Sequence, residues 1–300
     1  MVAANAIATI SLVDAVFEPV PGGKSIADLE LERGIAPCNK PYIRPERVID
    51  KRYLDSDEDE EDFKNTIGPE PPARVPSNLP PAGNLHASLR IARRIASGRS
   101  GIVFEAELDE DASSPELTTA TLPRLVIKVC HPPTYYRVAR EAFYYEEMES
   151  LQGTVIPRYY GLFQTTLEPG VMFRYWKIEK FWGGNGANDS DQEDHSDFPR
   201  CLTVLILEYV SEEFLPVGRK LNDKVIMEIK EMFRELARLG VWQPDIQYSN
   251  ILRVPNAELE FGASGKYRWR LVDFDRARKS NMSLRRFEIA NEDRLDPLFR

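Results

Sequence analysis

The 300-residue sequence is poor in cysteine and histidine, with three of each. Cys38, Cys130 and Cys201 form no Cys-x-x-Cys pair, and His86, His131 and His195 stand far apart. That spacing argues against a zinc cluster and against a disulfide framework, and it fits reduced thiols in an intracellular protein, cytoplasmic or nuclear. No apolar run approaches the roughly 18 to 20 residues of a membrane-spanning helix, so a membrane is not an expected partner. The first basic residue is Lys24, and Asp14 and Glu18 precede it, the reverse of a secretory leader. Positive charge is also short. The chain has 39 Lys plus Arg against 48 Asp plus Glu, a formal net charge of −9, which argues against nucleic acid as a partner.

Enough apolar residue is present for a core. Hydrophobic residues make up 42% and charged residues 29%, the balance of a globular chain rather than a disordered one. The acidity is concentrated in Asp55–Asp62, which carries seven acidic groups; without them the net charge would be −2.

Composition divides the chain into four stretches. Residues 1–53 mix apolar and charged groups without strong periodicity. Residues 54–85 join the acidic tract to Pro69, Pro71, Pro72, Pro76, Pro80 and Pro81. Mutual repulsion and missing backbone donors both oppose packing there, which predicts a disordered linker, with a docking tail as the alternative. Residues 86–210 read as a strand-rich lobe with a flexible insertion over 183–199, and residues 211–300 as a smaller second lobe. Short β-branched runs predict strands near Leu89–Ala96, Ile102–Leu108, Leu125–Cys130, Val171–Phe181 and Leu202–Val210. Helical spacing predicts one helix from about Thr134 to Gly153. A second runs from an Asn222 or Asp223 cap to Gly240. The second helix carries one apolar stripe, from Val225 to Leu239, which requires a cover; residues 1–53 are the expected source.

Four features carry chemistry. Ser97-Gly98-Arg99-Ser100-Gly101 is a glycine turn between two strands, where backbone amides can approach phosphate; a tight hairpin is the plainer explanation. Lys128 lies in the apolar strand Leu125–Val129 and requires an anion or a route to solvent; Glu141, Glu146 and Glu147 on the next helix are all possible partners. The last two are Asp245-Ile246-Gln247-Tyr248-Ser249-Asn250 and Asp273-Phe274-Asp275, whose hard oxygens suit Mg²⁺ although each also reads as a capped turn.

In this order the features resemble the protein kinase signature set: glycine hairpin, strand lysine, helix glutamate, Asp-x-x-x-x-Asn loop and Asp-Phe-x triplet. Leu207-Glu208-Tyr209-Val210 is similar to a kinase hinge, and Glu141 through Pro157 is similar to small divergent fungal protein-kinase-like proteins. The resemblance covers about residues 88–280. It implies an α+β bilobal fold, with a five-stranded antiparallel N-lobe sheet, one helix and a truncated, mainly helical C-lobe. It implies ATP and Mg²⁺ as cofactors. Gly98 and Gly101 would cover the phosphates, Lys128 would bind them and pair with Glu141, and Ile95, Val103, Val126 and Leu252 would enclose adenine. Leu207 would be the gatekeeper, with Glu208 and Val210 at the hinge. Asp245 would take the acceptor's proton, while Asn250 and Asp273 would hold the metal.

Departures from that pattern limit what it implies. Gln243-Pro244 stands in place of His-Arg, Gln247 in place of the catalytic-loop lysine, and Asp275 in place of a glycine, adding a carboxylate beside the metal ligands. The 25 residues after Asp275 hold no Ala-Pro-Glu-like segment and are not expected to supply the series of helices of a usual kinase C-lobe. The implied activity is transfer of the ATP γ-phosphate to a hydroxyl, expected on Ser or Thr of a protein. A pseudokinase binding module and a small-molecule kinase of the choline or aminoglycoside type are the alternatives.

Overall fold

The computed structural model describes residues 2–13, 17–19, 28–34, 71–119, 122–131, 134–167, 171–173, 201–255 and 266–299. The acidic tract, residues 54–70 of the expected linker and the expected insertion over 183–199 lie outside the described residues. The chain divides into two compact units. The first comprises Met1–Ala36, Leu79–Ala139 and Tyr159–Tyr209; the second comprises Pro37–Asn78, Arg140–Arg158 and Val210–Arg300.

The first unit is built on strands β1 (Ile7–Val13), β2 (Phe17–Pro19), β3 (Leu29–Arg33), β4 (Leu85–Ser97), β5 (Gly101–Leu108), β6 (Leu125–Cys130), β7 (Tyr159–Thr166), β8 (Val171–Phe173) and β9 (Cys201–Glu208). Seven of them close into a barrel in the order β1-β3-β7-β9-β6-β5-β4, and β2 pairs with β8 separately. This corrects the expected bilobal kinase-like fold with an open five-stranded antiparallel sheet. The β4, β5, β6, β9 and β7 strands do pair antiparallel, but β4 and β7 are not edges. β1 pairs with β4 in parallel, placing Ile10 opposite Ala87 and Leu12 opposite Leu89, and β3 pairs with β7, so the sheet is mixed and closed.

The physical reason is twofold. An open edge leaves a row of unpaired amides and carbonyls, and closure removes it. β1 also delivers Ile7, Ile10 and Leu12, and β3 delivers Leu31, all at 0% exposure in one core with Leu89, Phe104, Ile127 and Ile206. Arg33 fastens the seam by donating to the carbonyls of Ile7 (2.7 Å), Ala4 (3.2 Å) and Tyr160. A short helix, α1 (Pro115–Thr119), adds buried Leu117 to this core.

Helix α2 (Tyr135–Glu147) begins in the first unit and continues into the second. The second unit adds α3 (Asp223–Arg238), the two-residue strands β10 (Val241–Trp242) and β13 (Arg278–Lys279), which pair, and the paired strands β11 (Ile251–Arg253) and β12 (Trp269–Leu271). It ends in α4 (Leu284–Phe299). Asn222 caps α3 as its side chain accepts from the Val225 amide at 2.9 Å, and Gly240 follows the helix at φ 68°.

The stripe of α3 buries Ile229, Met232, Phe233, Leu236 and Ala237. Of its expected cover, residues 1–53, the described strands β1 and β3 are barrel strands, and residues 35–53 lie outside the described residues. Its partner is α4, the helix that the sequence did not suggest. Phe287 sits with Ala237 and Met282, while Glu288 and Glu292 of α4 pair with Arg234 (2.7 Å) and Lys230 (2.9 Å) of α3. Among the described residues, no helix is long and apolar enough to cross a membrane.

Candidate metal centre

Three aspartates converge in the second unit. One carboxylate oxygen from each of Asp245, Asp273 and Asp275 lies within 4.8 Å of the others. Opposite ligands around a divalent cation are about 4 to 5 Å apart, and Mg²⁺ and Ca²⁺ both favour carboxylate oxygen, so the donor set fits such an ion. Asp273 and Asp275 flank Phe274, which is fully buried and meets Tyr145 edge-to-face at 5.3 Å. That anchor fixes the short segment between β12 and β13 on which both carboxylates sit. Asp273 adopts φ 65°, the left-handed conformation that side chains other than glycine, Asn and Asp rarely take.

Gln243 holds the two carboxylate loops together. Its side chain is buried; Nε2 donates to the Asp273 carbonyl at 2.6 Å, and Oε1 accepts from the Asp245 amide at 3.5 Å. Asn250 closes the loop from its other end, donating from Nδ2 to the Asp245 carbonyl at 3.1 Å. The Val272 amide then donates to the Asn250 carbonyl at 3.0 Å. The Asp245 carboxylate itself accepts from Gln247 Nε2 at 2.7 Å on one oxygen and lies 3.6 Å from Arg276 Nε on the other. Glu141 is also buried in this unit. Burial, then the charges of Glu141 and Asp273, push the Tyr145 hydroxyl well above its ordinary range.

The sequence-predicted residues separate by unit. Ile95, Gly98, Gly101, Val103, Val126, Lys128, Leu207 and Glu208 belong to the first, and Glu141, Val210, Asp245, Asn250, Leu252 and Asp273 to the second. Within the barrel, Val103 pairs with Lys128 and Val126 with Leu207, while the alternating residues Ile102, Phe104, Ile127 and Ile206 fill the core. Val103, Val126, Lys128 and Leu207 therefore share the face opposite that core.

Gly101 has a packing reason to be glycine: a Cβ there would lie 2.4 Å from the Val129 carbonyl oxygen. A Cβ on Gly98 would meet the Gly101 carbonyl oxygen at an unstrained 4.0 Å; this residue takes the hairpin turn, its amide donating to the same carbonyl at 2.9 Å.

Sequence reasoning gave three residues too small a part. Asp275 registered as a carboxylate beside the metal ligands, able to recruit Mg²⁺ or only to restrict the backbone, and stood outside the expected metal set of Asn250 and Asp273. Gln243 registered only as a departure, and its role depends on a carbonyl thirty positions away. Glu147 was one of several possible partners for Lys128; its carboxylate instead accepts from Lys279, and both side chains are buried. No protein-family model matches this chain, and no curated protein sequence matches it.

Proposed function

We propose that this protein is an ATP-dependent, Mg²⁺-requiring phosphotransferase that moves the γ-phosphate to a hydroxyl acceptor. The observation that carries the reading is the convergence of Asp245, Asp273 and Asp275, held by Gln243 and Asn250. The order of the glycine turn, Lys128, Glu141 and the two aspartate segments along the chain supports it further.

Asp273 and Asp275 would hold the ion, with Asn250 beside them; when bound, Mg²⁺ neutralises phosphate charge and fixes the phosphate in place. Asp245 has the chemistry of a base for the acceptor. As the acceptor oxygen bonds to the γ-phosphorus and the bond to the β-phosphate oxygen breaks, the hydroxyl proton passes to the Asp245 carboxylate and ADP leaves. Gln247 and Arg276 orient that carboxylate by their contacts to its two oxygens. One observation favours a second reading, nucleotide binding without transfer: the Gln247 amide already occupies an Asp245 oxygen, and it supplies no positive charge.

Thermal unfolding of the full chain in Mg²⁺, and in Mg²⁺ plus ATP, tests the binding. Saturation at 100 times the dissociation constant adds about 2.7 kcal/mol of stability. Asp273→Asn and Asp275→Asn are expected to reduce that gain, and no response in the wild type would overturn the proposal. Asp245→Asn is expected to keep the nucleotide response while abolishing label transfer from γ-labelled ATP to a Ser-containing peptide mixture. A wild type that binds ATP and labels nothing selects the second reading.

A further inference from the structure

The glycine turn of the barrel is held by two residues that follow β6, His131 and Thr134. The His131 amide donates to the Ser100 carbonyl at 3.1 Å, and the Thr134 hydroxyl donates to the same carbonyl at 3.0 Å. The Thr134 amide donates back to the His131 carbonyl at 2.9 Å, so the two act as one clamp. The His131 ring is buried, and it donates to the Gly98 carbonyl. His131 thus grips Gly98 through its side chain and Ser100 through its backbone, on either side of the exposed Arg99.

Charge around this turn is positive. Arg94 and Arg99 are exposed and enter no ion pair among the described residues, and Lys128 stands on β6, two residues before Cys130. On β5, Glu105 pairs with Arg93 and Arg124. Glu107 lies across the ladder from Arg90, toward the end of β5 away from the turn. The His131 ring responds to two of these cations. Burial first, with the charges of Arg94 and Lys128 adding to it, holds the ring below its ordinary value near 6.5 against the Gly98 hydrogen bond, so at neutral pH it is uncharged. A phosphate group received at the turn would lie against the same cations and cancel their repulsion on the ring.

We infer that His131 holds the glycine turn in the shape that receives phosphate, and that its ring takes up a proton from solvent when phosphate binds. This inference rests on the phosphotransferase reading and deepens it. The imidazolium keeps its bond to the Gly98 carbonyl, because both of its ring nitrogens are donors, and it adds a positive charge beside Arg94 and Lys128. Uptake occurs between the low value of the unliganded ring and the higher value of the liganded one. Affinity for phosphate therefore rises as pH falls through that interval. His131 is a positioning residue: it acts through the turn and through its charge.

Calorimetric titration of the full chain with Mg²⁺-ATP at pH 6.5, in two buffers of different ionisation heat, counts the protons taken up. His131→Asn keeps a side-chain N–H for the Gly98 carbonyl but cannot gain a proton, and the difference between the two proteins cancels the nucleotide's own titration. Wild type is expected to take up the larger fraction of a proton. Its affinity is expected to gain about two- to fivefold over the variant between pH 8 and pH 6, the range of a partly exposed charge contact. His131→Leu loses the donor as well and is expected to bind about three- to tenfold more weakly even at pH 8, the worth of one hydrogen bond. A leucine variant that matches wild type at pH 8 would overturn the holding role. Equal proton counts for wild type and His131→Asn on binding Mg²⁺-ATP would overturn the proton uptake and leave the phosphotransferase reading standing. Should Mg²⁺-ATP not bind, inorganic tripolyphosphate is titrated in its place. Uptake that depends on His131 then keeps the inference and removes the phosphotransferase reading, while no binding of either removes both.

Discussion

In the barrel, backbone ladders do the fastening: seven strands of five to thirteen residues pair around an apolar core, and few polar side chains are needed. In the second unit the paired strands are two or three residues long, and buried polar side chains take over the work. Gln243 ties two loops, Arg270 binds three carbonyls, and Lys279 meets Glu147 in the interior. The carboxylate cluster sits in the unit built this second way. Short loops held by side chains can place three like charges together, whereas a continuous ladder sets side chains alternately on two faces.

The contrast is broken most strongly at the buried ion pair. Lys279→Ala leaves the Glu147 carboxylate buried without its cation, and a loss of about 3–5 kcal/mol in urea unfolding is expected. Replacing both groups, as Lys279→Met with Glu147→Leu, is expected to recover most of that loss, because no unpaired charge remains. A single variant as stable as wild type would mean that the pair does not hold the unit. Trp242 and Trp269 lie in this unit and Trp176 and Trp182 in the stretch assigned to the other, so fluorescence in a Trp176→Phe, Trp182→Phe background reports its unfolding.

A smaller effect with a sharper meaning is expected at Gln243. Gln243→Leu keeps the volume but leaves the Asp273 carbonyl without its buried donor, a cost of about 1–3 kcal/mol. The decisive measurement is the response to Mg²⁺. If Gln243 positions the aspartates, the variant loses metal-induced stabilisation beyond its loss of stability; if the full response survives, the loops hold their places without it.

These polar fasteners mark where the sequence was legible. Strands β5, β6 and β9 announce themselves by dense β-branched runs, and α3 by its stripe and its caps at Asn222 and Gly240. The aspartate segments could be seen because their residue types are unusual between strands. β1 and β3 could not be placed, since β1 finds its parallel partner some 75 positions away and nothing local encodes that pairing. The α4 helix was hidden by a stripe one residue wide, with Phe287, Asn291, Leu295 and Phe299 as its buried positions and Pro297 in its last turn. Both omissions shaped the expected fold: the missing strands left an open sheet, and the missing helix left α3 uncovered.

Acidification is expected to separate the two units by a weaker effect. His131, in the barrel, is held below its ordinary value near 6.5 by burial first, with the Arg94 and Lys128 cations adding to it and a hydrogen bond to the Gly98 carbonyl opposing. The unfolded chain then takes up a proton near pH 6.5 that the folded barrel refuses, so stability is complete above that pH and falls as pH drops toward the folded value. Glu235, in the second unit, ends below its ordinary 4.5: burial raises it, and the hydrogen bonds from Lys266 and Arg238 together lower it by more. Its contribution is present above pH 4.5 and lost below it. Between pH 7.5 and 5.5 barrel stability should fall, while the Glu235 contribution to the second unit holds. Hydrogen exchange at barrel amides, against fluorescence of the Trp176→Phe, Trp182→Phe background for the second unit, distinguishes them. His131→Gln removes the titrating ring, and the barrel's loss over that interval should flatten. An unchanged loss in that variant would assign the acid sensitivity elsewhere.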